Sequence, residues 1–212
     1  NWEFWNVPDS RGFCNVSAWD FASAAKAASL GLKAGNPEVT IHSAPYCTDT
    51  RFFHSALLSD LPQYFDVFGF HSYASVDTFP PLMSAIRRSL HETGTPATMP
   101  IWFTEVGTYV EKDATQPGMR PGLREHSYQQ ELCVAREIPK SLTALQQLGV
   151  ARIFWFNLMP VNERGGKKSF GLLRRDYTIK ASYTAFANLN FQLGQARLEG
   201  AMNEPGVHAL LY

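Results

Sequence analysis

The chain has 212 residues, 45% of them hydrophobic, enough for one sizeable core. Its 19 basic residues balance 19 acidic ones, and without a block of like charge the composition argues against a nucleic-acid surface or a charged tail. The three cysteines, Cys14, Cys47 and Cys133, are odd in number and far apart, giving no disulfide framework and no C-x-x-C zinc spacing; no apolar run reaches the length of a membrane span.

Asn1-Trp2-Glu3-Phe4-Trp5 opens the chain abruptly inside a strand-like run, so residues upstream are expected. Trp2 to Asn6 reads as a strand and Val7-Pro8-Asp9-Ser10 as the loop leaving it. A helix is predicted from about Ser17 to Lys33, with a serine N-cap, an alanine-rich body and a Gly35-Asn36-Pro37 stop. Val39 to Ala44 reads as the second strand, Asp49 to Tyr64 as a broken helix, and Asp66 to Tyr73 as the third strand. Pro81 to Glu92 reads as the third helix. The fourth strand is the most distinctive: Ile101, Trp102 and Phe103 are residue types that suit a strand buried on both faces, Pro100 stands where a missing N–H costs least, and Gly107 releases the chain. Glu105 thus lies at the carboxyl end of a strand.

A Gly/Pro-rich loop is expected from Lys112 to Gly122, then a helix from His126 to Leu148 kinked or broken at Pro139. Val150 to Phe156 reads as the fifth strand, Asn162 to Lys168 as a basic, glycine-containing loop, and Ile179 to Leu193 as the last helix. Helical periodicity is lost after Leu193. The run Gly206 to Tyr212 reads as a strand with nothing left to pair with: the opening of a truncated β-rich accessory segment, or a strand packed back on the main domain.

Strand and helix alternate five times, which predicts an α/β fold with a parallel sheet and right-handed crossovers. An open sheet and part of a closed barrel both fit. No G-x-G-x-x-G or Walker-type loop follows a strand, which disfavours nucleotide binding. A complete (β/α)₈ barrel takes about 250 residues, so five units filling most of this chain correspond to the last five of eight. Active sites of parallel α/β proteins gather at the carboxyl ends of the strands. The residues there are Asn6, His71, Tyr73, Glu105 and Trp155.

Those motifs resemble the clan A retaining glycoside hydrolases, most closely the β-xylosidase and α-L-iduronidase family. Trp5-Asn6-Val7-Pro8-Asp9 matches the Trp-Asn-Glu-Pro motif ending the family's fourth strand, and His71-Ser72-Tyr73 a His-x-Tyr pair on its sixth. Thr104-Glu105-Val106-Gly107 matches the Thr-Glu-x-Gly motif of the seventh, and Trp155 the tryptophan of the eighth. The likeness runs from about Trp2 to Leu193. It implies a partial TIM barrel, strands four to eight, over residues 1–193, followed by the start of a β accessory segment over 194–212. It implies a carbohydrate substrate, Glu105 as nucleophile, Asn6, His71 and Tyr73 as sugar- or nucleophile-holding residues, and Trp155 as a platform under the sugar. Neither cofactor nor catalytic metal is implied, and a secreted or periplasmic location is favoured over the cytoplasm.

One departure matters most. Val7 stands where the family has its acid/base glutamate. Retaining hydrolysis uses two carboxyl groups roughly 5 Å apart, and valine cannot transfer a proton. Glu3 shares the strand parity of position 7 but lies deeper, and reads as a buried structural acid paired with an arginine; Asp9 lies past the turn, at the rim of the cleft. His42 is a weaker cleft candidate. Either the chain is an impaired hydrolase or it is a carbohydrate-binding protein that has dropped the chemistry; an unrelated open α/β enzyme is the third reading. No G-x-S-x-G elbow supports a serine hydrolase.

Overall fold

The computed structural model describes residues 1–109, 127–163, 168–205 and 207–212. The loop expected over 112–122 and the helix start expected at His126 lie outside them. Two compact units emerge, Asn1–Val106 with Leu148–Phe154, and Gly107–Gln147 with Trp155–Tyr212.

The first unit is a parallel α/β layer. Strand β1 is Trp2–Glu3, shorter than the expected Trp2 to Asn6, because Trp5 and Val7 adopt left-handed φ values of 70° and 45° and turn the chain out of the sheet. Helix α1 spans Ala18–Gly35; the Ser17 hydroxyl accepts from the Asp20 amide at 3.1 Å, and Asn36 ends the helix. Strand β2 is Ile41–His42 and pairs in parallel with β1, Glu3 standing opposite His42. Helix α2, Thr50–Leu57, is capped by Asp49. The broken character expected here is real: Asp60, at a left-handed φ of 58°, separates α2 from a short 3₁₀ turn, Leu61–Tyr64. Strand β3 is Phe68–Ser72. Helix α3, Phe79–Glu92, begins two residues before Pro81, with both prolines in a first turn whose amides need no helical partner. Strand β4 is Ile101–Val106, close to its expected limits, and β5 is Arg152–Trp155, of which all but Trp155 belongs to this unit.

Strands β3, β4 and β5 are hydrogen-bonded neighbours in that order, and parallel bridges from His42 to Val67 and from Tyr46 to Phe70 connect β2 to β3. Spatial order therefore follows chain order, with no point at which the sequence of strands reverses. Tyr46, Phe53, Phe68, Phe70 and Phe103 fill the core beneath these strands, Tyr46 stacked on Phe68 at 5.8 Å and Phe70 against Phe103 at 5.6 Å. Each such ring pair contributes about 0.5–1.5 kcal/mol beyond its buried area.

In the second unit, helix α4, Tyr128–Gln147, continues as one helix through Pro139, whose carbonyl accepts from the Thr143 hydroxyl at 2.7 Å. The expected loop over Asn162 to Lys168 is corrected in part: its ends belong to an antiparallel pair, β6 (Val161–Glu163) with β7 (Lys168–Phe170). Helix α5 is Ala181–Leu193. The unpaired terminal run is corrected too: β8 (Gly200–Glu204) pairs with β9 (Val207–Leu211) in an antiparallel hairpin. Glu131 on α4 is 1% exposed and is held by Arg174, which donates from Nε at 2.8 Å and from Nη2 at 2.7 Å. Among the described residues no helix is long and apolar enough to cross a membrane, and no cluster of His, Cys, Asp and Glu could hold a metal ion.

Candidate functional site

The site forms on β3 and β4 because their register is irregular. Phe70 faces Phe103, but His71 faces Glu105, so β4 carries one extra residue, Thr104, at that level. In a regular strand, adjacent side chains point to opposite faces. The bulge instead aims both Thr104 and Glu105 at one imidazole. His71 is 1% exposed. Its Nε2 lies 3.0 Å from Thr104 Oγ1, and its Nδ1 lies 3.3 Å from Glu105 Oε2, off the axis of a good hydrogen bond. The Tyr73 hydroxyl donates a short hydrogen bond to the same Oε2. Glu105 is 26% exposed, so its carboxylate is both held and open to solvent.

Burial depresses the His71 pKa to about 4. The ring is thus neutral near pH 7, and acts on Glu105 as a dipole or N–H donor rather than as a cation. A phenol O–H donated to a carboxylate favours its ionised form. The arrangement is an oriented carboxylate at the end of a parallel strand.

Glu3 corrects an expectation. It is half-buried and makes no ion pair with an arginine among the described residues. Burial, opposed by the Thr104 hydroxyl and reinforced by the charge of Glu105, raises its pKa to about 7. Its Oε2 is buried without a hydrogen-bond partner. Glu3 and Thr104 therefore join His71, Tyr73 and Glu105 in one polar cluster. Strand parity gave a hint for Glu3, since it shares a face with position 7; no sequence signal announced the bulge that turns Thr104 toward it.

Other candidates sit differently. Asn6 is exposed, with no side-chain hydrogen bond among the described residues. Val7 is 8% exposed, at the left-handed φ of 45°. A β-branched residue there is a genuine outlier. Asp9 is a structural anchor rather than a rim acid: its carboxylate accepts from the amides of Cys47 at 3.0 Å, Thr48 at 2.5 Å and Asp49 at 2.7 Å. His42 is a core residue, its ring edge-on to Trp102 at 4.4 Å. Trp155 lies in the second unit, beside Phe170, Lys180 and Glu131.

No family model matches the chain, and no curated protein matches it in sequence. Solved structures do match. A family 39 glycoside hydrolase from the gut symbiont Bacteroides cellulosilyticus WH2 aligns with a TM-score of 0.67 at 16% identity, over 96% of this chain and 43% of that one. A family 51 α-L-arabinofuranosidase from Bifidobacterium longum aligns with a TM-score of 0.61 at 12% identity, over 90% and 43%. A curdlan-specific exo-β-1,3-glucanase of family 128 from Blastomyces gilchristii, solved with glucose, aligns with a TM-score of 0.56 at 16% identity, over 88% and 68%. The chain spans less than half the length of the first two. At these identities the likeness is one of fold: the chain is α/β, and its structural neighbours are glycoside hydrolases, as the clan A resemblance implies.

Proposed function

We propose that this chain is the later part, strands four to eight, of the (β/α)₈ barrel of a clan A retaining glycoside hydrolase, with the β-xylosidase and α-L-iduronidase family the nearest in motif. Residues 1–193 are the barrel part and 194–212 the start of a β accessory segment. The observation that carries the reading is Glu105 at the carboxyl end of β4, gripped by the Tyr73 hydroxyl with the neutral His71 ring beside it. The consecutive strand order supports a barrel.

Glu105 attacks the anomeric carbon and the glycosidic oxygen leaves. Tyr73 and His71 hold the carboxylate in place before the attack. Asn6 meets the sugar 2-hydroxyl, a contact that strengthens in the transition state. Trp155 is the sugar platform on the strength of its motif alone. At position 7 the leaving oxygen finds no acid, so an ordinary alkoxide departs very slowly, whereas an aryl oxide needs no proton. Proton transfer by a positioned side chain is worth roughly 10²–10⁴-fold. Val7→Glu is therefore expected to raise hydrolysis of unactivated glycosides by about that factor while changing cleavage of activated aryl glycosides far less. Equal effects on both substrates, or none on either, would remove position 7 from the mechanism.

The second reading is a carbohydrate-binding protein without turnover. The buried, apolar Val7 favours it. Saturable sugar binding, with no covalent labelling and no rescue by Val7→Glu, would select it.

A further inference from the structure

We propose that the N-terminus of α5 holds one structural water, bound by the Ser182 hydroxyl in a small cavity that lies wholly within the second unit. Nothing in it depends on the chemistry of Glu105.

Three observations meet at this point. Helix α5, Ala181–Leu193, begins after Lys180, which makes no side-chain cap. The amides of a first turn have no acceptor inside the helix and need one from elsewhere. That of Tyr183 takes the Lys180 carbonyl at 3.0 Å, but those of Ala181 and Ser182 have no backbone acceptor among the described residues. Second, Ser182 is fully buried, and its Oγ has no hydrogen-bond partner among the described residues. A buried hydroxyl left without a partner is costly, and the large majority of such groups have one. Third, Ser182 lines a cavity whose open volume is about 10 Å³. That is the room of one water, and less than a carboxylate or a sugar hydroxymethyl group takes.

The wall suits a water in character as well as in size. Thr108 and Ser169 bring further hydroxyls to it, and Val134 and Phe170 close it on apolar sides. A buried water needs two to four polar partners. The Ser182 hydroxyl, the uncapped amides of α5 and these two hydroxyls supply them, and a water can accept from an amide while it donates to a hydroxyl oxygen. The ligand is neutral, because the wall carries one carboxylate, Glu131, and one ammonium, Lys180, and so favours neither sign of ion. Glu131, gripped by Arg174 at 2.8 and 2.7 Å, presents its carboxylate to any anion that enters. Bound there, the water does for α5 what the Ser17 hydroxyl does for α1.

The test is diffraction from crystals of the full chain, with and without soaked sodium bromide, together with urea unfolding of Ser182→Ala. The expected result is one density peak of water's weight within hydrogen-bond distance of Ser182 Oγ, with no anomalous bromide signal there. Alanine is the better helix former and removes a buried hydroxyl, so an Oγ that is truly unpaired would make Ser182→Ala raise the urea midpoint. A hydroxyl that holds the water makes the midpoint fall instead, by about 0.5 M. No peak at Ser182, a bromide peak in its place, a protein group bonded to Oγ, or a raised midpoint overturns the proposal. Diffraction needs only the unaltered chain, so the test stays decisive even where Ser182→Ala does not fold.

Discussion

Glu3→Gln should stabilise the first unit at high pH and leave it nearly unchanged at low pH. A carboxyl whose pKa is about 7 in the fold and 4.5 when unfolded binds its proton more tightly folded. Its contribution is intact below pH 4.5 and is lost as the pH rises through 7. At about 1.36 kcal/mol per pH unit the full excursion is about 3.4 kcal/mol. Glu3 is only half-buried, and solvent screening reduces this to about 1–2 kcal/mol. Glutamine has the same shape and cannot ionise, so it removes the penalty. The assay is urea unfolding of both proteins at pH 4.5 and pH 8.5, followed by tryptophan fluorescence. With a slope of 1–3 kcal/mol per molar, the variant's midpoint should move up by roughly 0.5–1 M at pH 8.5 and by little at pH 4.5. Equal shifts at both pH values, or stabilisation confined to pH 4.5, would show that Glu3 is not held protonated by the fold.

His71 acts in the opposite sense. Its pKa is lowered from 6.5 to about 4, so its contribution is present above pH 6.5 and lost as the pH falls toward 4; at 1% exposure this amounts to about 3 kcal/mol. His71→Gln should flatten the acid limb of the stability profile, and an unaltered acid limb would contradict the burial argument. In the second unit, Arg174→Ala leaves Glu131 charged and unpaired at 1% exposure, which should cost about 3–5 kcal/mol. Limited proteolysis should then cleave around α4 and α5 well before the first unit; a loss below about 1 kcal/mol would mean that other groups hold Glu131.

Much of this fold was legible in the sequence where local chemistry decides. Ser17, the alanine-rich run and Gly35-Asn36 bounded α1 to within two residues, and the apolar run into Glu105 located β4. What escaped depends on residues distant in the chain. Trp5 and Val7 turn in the left-handed region, where aromatic and β-branched types are disfavoured, so β1 ended early. The β3–β4 bulge contains no glycine to announce it. The run Ala-Met-Asn-Glu in β8 has weak strand propensity, which hid the partner of β9. At the site, Glu105, His71 and Tyr73 stand together, His71 Nδ1 and the Tyr73 hydroxyl both at Glu105 Oε2. The raised pKa of Glu3 was not legible, because it rests chiefly on burial among elements distant in the sequence.

The most direct test of Glu105 as a nucleophile is covalent trapping. A fluorinated aryl glycoside carries a leaving group that departs without a proton, so the empty acid position at Val7 does not block the first step. Mass spectrometry of the folded chain after incubation should find one glycosyl adduct, on the peptide containing Glu105 and absent from Glu105→Gln. A folded protein that gains no adduct, or carries it on another residue, would contradict the account.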